Sequence, residues 1–289
     1  QGRGHRVETL RWSVWKQNMR HTWGLMTNTE LSRQCELNAN AASATSRSVI
    51  DVGPFQALLD PATDMIWLNY AVPISPIDPH NVAAALAELR RVFAEHNRTI
   101  RFEFNALPWP ELAGMLEQDG LVLHGRHPLM VCTPASFRPF NAPGVAVTML
   151  HGDEPDALLS AGMQIQSESF EVSTEPPPGA EIERVRSRIR AGTLQGALAL
   201  LDGVPAGAGN MIAIAGVAEL GGVATSPAFR RLGVAATLSS FMTEQLFVNG
   251  GRLAWLSAAD VAAQAVYQRV GYSVIDERLN YIAADAQTE

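Results

Sequence analysis

Thr225-Ser-Pro-Ala-Phe-Arg-Arg-Leu-Gly-Val-Ala-Ala-Thr-Leu238 links an apolar run, Val217 to Ala224, to a helical pattern extending from Ala236 to Phe247. A strand that feeds a tight, glycine-containing turn and then opens a helix leaves backbone N–H groups without partners inside the helix. Those amides, with the positive end of the helix dipole, form a seat for an anion. The dipole contributes about 0.3–1 kcal/mol for each negative group held there. Gly233 lets the backbone come close to a ligand, Ala235 keeps the first turn clear, and Arg230 and Arg231 add positive heads. The stretch reads as a cradle for a pyrophosphate.

The spacing Arg230-x-x-Gly233-x-Ala235, with Pro227 three residues ahead, resembles motif A of the GNAT acyl-CoA-dependent N-acetyltransferases, which reads Gln/Arg-x-x-Gly-x-Gly/Ala. A second match lies downstream, Asp260-x-x-Ala263-x-x-x-Tyr267-x-x-x-Gly271-Tyr272. It resembles motif B, Asn-x-x-Ala-x-x-x-Tyr-x-x-x-Gly-Phe, with Asp for Asn and Tyr for Phe. Two motifs at the family's separation, each on the right kind of element, are far more specific than either alone.

The resemblance implies an α/β (α+β) chain with two GNAT-like mixed-sheet domains in tandem, each a central twisted sheet flanked by helices. It covers 145–285 well and 49–135 as a degenerate copy, with a linker at 136–144 and an extension or lead-in at 1–48. It also implies an acetyl-CoA co-substrate held by Val223, Ala224, Thr225, Arg230, Arg231, Leu232, Gly233, Val234, Ala235 and Asp260. In the family a bulge splays the strand before motif A, and one backbone N–H polarises the thioester carbonyl. By resemblance, Gly221-Gly222 marks that bulge here, and Val223 is the candidate for a one-donor oxyanion hole. By resemblance, the role of the motif B tyrosine, protonating the leaving thiolate, falls on Tyr267. By resemblance too, Glu219 is the candidate for the strand carboxylate that takes the amine proton in many family members. Its place in the middle of an apolar run is costly for a plain surface acid.

The implied reaction moves an acetyl group to a primary amine, small molecule or peptide, by direct attack in a ternary complex. Two rivals stay open: a non-catalytic acyl-CoA-binding regulatory module, and a transferase using another short acyl-CoA. The N-terminal half lacks these tools. Where motif A would stand it has Asp78-Pro-His-Asn81, without glycine, and Leu116 takes the place of Tyr267. That half is expected to bind no CoA and to serve as scaffold or cover.

Composition narrows the field. The chain has 289 residues, 47% of them hydrophobic, enough for two ordinary domains. Lys16 is its only lysine, which removes support for a P-loop or a Schiff base. The net charge is −7, and five basic residues sit within the first 26, so the remainder is more acidic still. Nucleic-acid binding, which rests on basic patches, is not expected. Two cysteines make no disulfide framework and fit a reducing, cytoplasmic setting. No apolar run reaches the ~20 residues of a membrane span, and the seven histidines have no metal spacing. The Arg and Ala bias is that of GC-rich coding and points to a bacterial source.

In chain order, residues 1–25 read either as an upstream extension or as an amphipathic helix. From Met26 to Ser48 the pattern is a loose lead-in with at most one short helix. Strands are expected at 65–72, 99–104, 121–123, 129–132, 145–150, 217–224 and 253–257, and 273–282 reads as one bent strand or two short ones. Helices are expected at 81–95, 110–118, 156–170, 181–190, 236–247 and 261–269. Asp202-Gly203 turns a hairpin between 196–201 and 207–215. Superposing Gly120 on Gly271 aligns the two halves as a repeat.

Overall fold

The computed structural model describes residues 26–170, 172–284 and 286; residues 1–25 and their two readings lie outside the described part. The elements in chain order are α1 (Asn28–Ala44), β1 (Ser48–Val52), β2 (Phe55–Leu59), β3 (Tyr70–Pro73), α2 (Val82–Glu95), β4 (Arg101–Asn105), α3 (Leu112–Gln118) and β5 (Leu121–Cys132). They continue with β6 (Val145–Met149), α4 (Asp156–Ser169), α5 (Gly179–Arg190), β7 (Gln195–Leu201), β8 (Val204–Ile214) and β9 (Val217–Thr225). The chain ends with α6 (Val234–Val248), β10 (Leu253–Ser257), α7 (Val261–Val270) and β11 (Ser273–Ala283). The order β3–α2–β4–α3–β5 recurs as β9–α6–β10–α7–β11, which is the repeat that the glycine superposition expects. The chain divides into two compact units. Among the described residues, one holds Thr27–Leu129, Ser257–Ala259 and 274–284; the other holds Met130–Leu256 and Asp260–Ser273.

In the N-terminal unit the strands lie in the order β1-β2-β3-β4-β11-β5. β3 and β4 are parallel, and β11 joins β4 antiparallel, with Tyr281 opposite Phe102. Phe55, Phe102, Phe104 and Tyr281 pack with Leu86, Leu89 and Phe93 of α2 and Leu112 and Leu116 of α3. The loose lead-in expected at 26–48 is instead a 17-residue helix, α1. Thr27 caps it: its Oγ1 accepts the Glu30 N–H, and Glu30 Oε2 accepts the Thr27 N–H at 2.7 Å. Its buried face is mostly small or polar, and the polar members have partners. Ser32 Oγ donates to Asp276 at 2.5 Å, and Glu36 accepts the Asn105 N–H and the Trp109 indole N–H.

Two further expectations are corrected here. The strand expected at 65–72 begins only at Tyr70, and Ile66–Leu68 is a short 3₁₀ turn. Asn69 explains this. Its amide donates to the carbonyls of Thr63 and Met65 and accepts the Asp60 N–H, which closes the segment into a loop. The two short strands at 121–123 and 129–132 are one continuous strand, β5, and Arg126 on it pairs with Glu277 of β11 at 2.5 Å.

Glu103 of β4 sits between Arg101 (3.0 Å) and Arg278 (2.6 Å). Burial would raise its pKa, but the two guanidiniums outweigh burial and hold it down to about 2, against an ordinary 4.5. A carboxyl with a depressed folded pKa lends stability above its unfolded pKa and loses it as pH falls through the folded value. Urea-unfolding midpoints should therefore fall as pH drops from 4.5 towards 2. Glu103→Gln should flatten that part of the profile. The difference between the two profiles separates Glu103 from Glu36, whose pKa burial pushes upward.

In the C-terminal unit the order is β5-β10-β9-β8-β7-β6, with Met130–Cys132 as the share of β5. β9 and β10 are parallel; the pairs β6–β7, β7–β8 and β8–β9 are antiparallel. Asp202 and Gly203 both have positive φ (49° and 85°), as do Ala215 and Gly216 (50° and 79°). Both hairpin turns thus have the primed geometry that matches strand twist. The two faces of this sheet carry different helices. A side chain at Gly162 of α4 would meet Leu198 and Ala208, whereas one at Gly209 would meet Leu238 and Met242 of α6. From Gly207 to Asn210 of β8, even positions face α4 and odd positions face α6.

Candidate active site

The parallel pairing of β9 with β10 ends at Glu219 opposite Trp255, yet β9 runs on to Thr225. Leu220–Thr225 therefore has no β10 partner along this pairing. On its other side the ladder with β8 carries one extra residue: Ala208 faces Ala224, but Asn210 faces Gly221. This is a β-bulge at Gly222-Val223, where the sequence places one. Gly222 sits in the left-handed region at φ +59°. The bulge turns the peptide out of the ladder and bends the strand.

Glu219 lies opposite Ile212, and directly opposed residues share a face. Ile212 packs against the cluster of Leu159 (α4), Ile182 and Ile189 (α5) and Leu194, so Glu219, Asn210 and Ile212 line the α4 face of the sheet. Glu219 is partly exposed. Gln166 of α4 reaches the same place. Its Nε2 donates to the Gly222 carbonyl at 2.7 Å, and its Oε1 accepts from Asn210 Nδ2 at 3.3 Å. Neither Gln166 nor Asn210 was singled out in the sequence. The one sequence signal was Gly222 itself, since a left-handed bulge residue leaves a carbonyl that needs a donor.

From Thr225 the chain passes a 3₁₀ turn, Pro227–Phe229, and enters α6 at Gly233, whose φ is +84°. No side chain caps this end, and the first bond of the helix runs from the Thr237 N–H to the Gly233 carbonyl. The preceding amides therefore have no helical partner. Arg231 is also left-handed, at φ +64°, a conformation that costs a non-glycine residue about 1 kcal/mol or more. Arg230, Arg231 and Leu232 are exposed. Arg230 Nε lies 3.4 Å from the Thr225 carbonyl. Gly233 is required twice over: besides its φ, a Cβ there would stand 2.7 Å from the Ala142 Cβ. The 139–142 segment is tied down beside it, with the Ala142 N–H donating to Thr237 Oγ1 and the Phe140 N–H to Ser240 Oγ.

Asp260 accepts the Ala263 N–H at 2.7 Å and so caps α7. About two turns further on, Tyr267 is partly buried and meets Tyr272 edge to face at 6.0 Å. Burial, with a smaller contribution from the Asp260 charge, pushes the Tyr267 phenol up to about 12. Among the described residues its hydroxyl forms no hydrogen bond. Tyr272 is bonded to Thr243 of α6 at 2.7 Å and is fully internal.

These features fit an acyl-CoA. The ledge Leu220–Thr225 matches an added extended strand such as pantetheine, and Thr225 Oγ1 is buried there without a partner among the described residues. The uncapped α6 entrance with two exposed arginines matches a diphosphate. Among the described residues no group of His, Cys, Asp and Glu is placed to hold a metal ion, and no helix is long and apolar enough to cross a membrane.

Residues 159–272 match the acetyltransferase (GNAT) family. No curated protein matches the chain. Among solved structures, a GCN5-related N-acetyltransferase from Kribbella flavida is similar at 27% identity and TM-score 0.73, covering 88% of this chain and 95% of its own. A tandem GNAT protein from the clavulanic acid biosynthesis pathway shares the fold at 16% identity and TM-score 0.59, covering 79% of this chain and 78% of its own. A GCN5-related N-acetyltransferase from Sphaerobacter thermophilus does so at 15% identity and TM-score 0.59, covering 79% and 76%. The α/β architecture of mixed sheets flanked by helices is thus that of GNAT proteins, tandem ones included.

Proposed function

We propose that the protein, whose residues 159–272 match the acetyltransferase (GNAT) family, transfers an acetyl group from acetyl-CoA to a primary amine, small molecule or peptide, within a ternary complex. The observation that carries this reading is the stretch Leu220–Thr225 of β9, beyond its pairing with β10, bulged at Gly222 and leading through the Pro227–Phe229 turn to the uncapped end of α6. Together these would offer a strand edge for pantetheine, an amide for the thioester oxygen and a seat for the diphosphate.

In this reading the amides of Leu232, Gly233, Val234 and Ala235, with Arg230 and Arg231, hold the diphosphate. Ala224 and Thr225 pair with the pantetheine arm, and Asp260 fixes the start of α7. The Val223 N–H donates to the thioester oxygen, which gains negative charge as the amine nitrogen bonds to the carbonyl carbon. Glu219, on the α4 face, takes the proton that the nitrogen sheds, directly or through water. The carbon–sulfur bond then breaks, and Tyr267 donates to the departing sulfur. The acetyl group leaves on nitrogen as an amide.

The test is single-turnover thiol release from acetyl-CoA against a panel of amines. Acceptor-stimulated release with an acetylated amine by mass spectrometry is the expected result. Tight CoA binding with no stimulated release across a broad panel would instead favour the regulatory module, and faster turnover of propionyl- or succinyl-CoA would change the donor. Glu219→Gln should lower turnover about 10-fold at pH 7 and recover as pH approaches the pKa of the amine, when the neutral amine no longer needs a base. A loss that is the same at every pH would remove Glu219 from proton transfer.

A further inference from the structure

We propose that Gln166, oriented by Asn210, is the positioning residue that aims and strengthens the oxyanion-hole donor. This inference rests on the acetyl-CoA reading above. The Gly222 carbonyl and the Val223 N–H belong to one planar trans peptide, and they leave it in opposite directions. Fixing the carbonyl therefore fixes the N–H. Gln166 Nε2 donates to that carbonyl at 2.7 Å from the α4 side, which directs the Val223 N–H away from α4.

The bond also polarises the peptide. A carbonyl that accepts a strong hydrogen bond shifts electron density from its nitrogen and makes the attached N–H a better donor. Gln166 could present either end of its amide, but Asn210 Nδ2 donates to its Oε1 at 3.3 Å, which leaves Nε2 for Gly222. Asn210 is itself placed by the ladder, opposite Gly221, one residue before the bulge. Gly222 completes the arrangement: a Cβ there would stand 2.5 Å from Gln166 Nε2, so any side chain would evict the donor. The bulge alone would leave this peptide free to rotate about its flanking bonds. The relay Asn210–Gln166–Gly222 removes that freedom before substrate binds, which is what preorganisation of a charge-stabilising donor requires.

The test uses the full chain and acetyl-CoA with an isotope-labelled thioester carbonyl, and needs no amine. Hydrogen bonding lowers a carbonyl stretching frequency, so difference infrared spectra of bound against free acetyl-CoA read the Val223 donor directly. Wild-type protein should move the band to lower frequency. Gln166→Met keeps the side-chain length but cannot donate; it should lose about half or more of that shift, with acetyl-CoA affinity changed by less than about twofold. Gln166→Glu, which presents a carboxylate to the carbonyl, should lose it as well, and serves if the methionine variant folds poorly. Full retention of the shift in both variants would overturn the inference. So would a wild-type protein that binds acetyl-CoA without any shift, although the acetyl-CoA reading would survive that result. Failure of the wild-type protein to bind acetyl-CoA would overturn both.

Discussion

Tyr267→Phe should lower turnover roughly 10- to 10²-fold while leaving the affinity for acetyl-CoA nearly unchanged, because in the proposed reaction the hydroxyl matters only once charge appears on sulfur. A hydrogen bond to a charged group contributes about 1.5–3 kcal/mol, which sets that range. The phenol is pushed up to about 12 by burial and by Asp260, so it keeps its proton throughout the neutral and mildly alkaline range. A thiol has an ordinary pKa of about 8–9, so complete transfer from such a phenol to a free thiolate would run uphill. Tyr267 is therefore expected to hold the sulfur by a strong hydrogen bond through bond breaking, with the proton following as the thiolate leaves. Two measurements separate this role from packing. The wild-type rate should show no alkaline limb from Tyr267 below about pH 11, given an acid pushed to about 12. The variant should keep the wild-type unfolding midpoint, since the hydroxyl makes no hydrogen bond among the described residues. Unchanged turnover would take the tyrosine out of the mechanism.

The sequence made the strand–turn–helix at 217–247 and the helix at 261–269 legible because both rest on local signals: an apolar run, glycines, a capping aspartate and helical spacing. The Asp202-Gly203 hairpin was legible for the same reason. α1 was not, although Thr27-Asn-Thr-Glu30 is a capping box. Its inward face carries Ser32, Glu36 and Asn38, and periodicity in apolar residues cannot reveal a helix whose buried groups are polar and bonded to distant partners. The destination of β11 was hidden more deeply. Its alternation is the same whichever sheet it enters, and only the pairing of Tyr281 with Phe102 assigns it to β4. Around the site, motif residues could be read from spacing, but Gln166 could not. It lies in a helix with Gln164 two residues before it, and nothing local distinguishes the glutamine that meets a bulge 56 residues away.

Gly271→Ala should destabilise the C-terminal unit by about 3–5 kcal/mol, whereas Gly250→Ala should cost only about 1–2 kcal/mol. The two glycines share the left-handed conformation, φ +101° and +84°. A side chain at Gly250 would meet nothing within 4 Å, so that variant reads the conformational cost alone. A Cβ at Gly271 would stand 2.1 Å from the Ser136 carbonyl oxygen, closer than any real contact allows, and the obstacle is backbone. Relief requires the 133–138 turn to move. That turn is tied by the Arg138 N–H to the Val270 carbonyl at 2.8 Å and by the Phe137 N–H to the Thr133 carbonyl at 2.9 Å. Phe137 also packs edge to face on Phe247 of α6 at 5.6 Å. The motif B glycine is thus the point where α7 stops against a fixed wall of chain. Urea unfolding of the two variants beside wild type gives the comparison, and equal costs for both glycines would show that the wall yields. Because the same contact sets the end of α7, a Gly271→Ala protein that remains folded should also lose turnover without losing acetyl-CoA affinity. Its phenol at Tyr267, one turn earlier, would sit out of line with the β9 bulge.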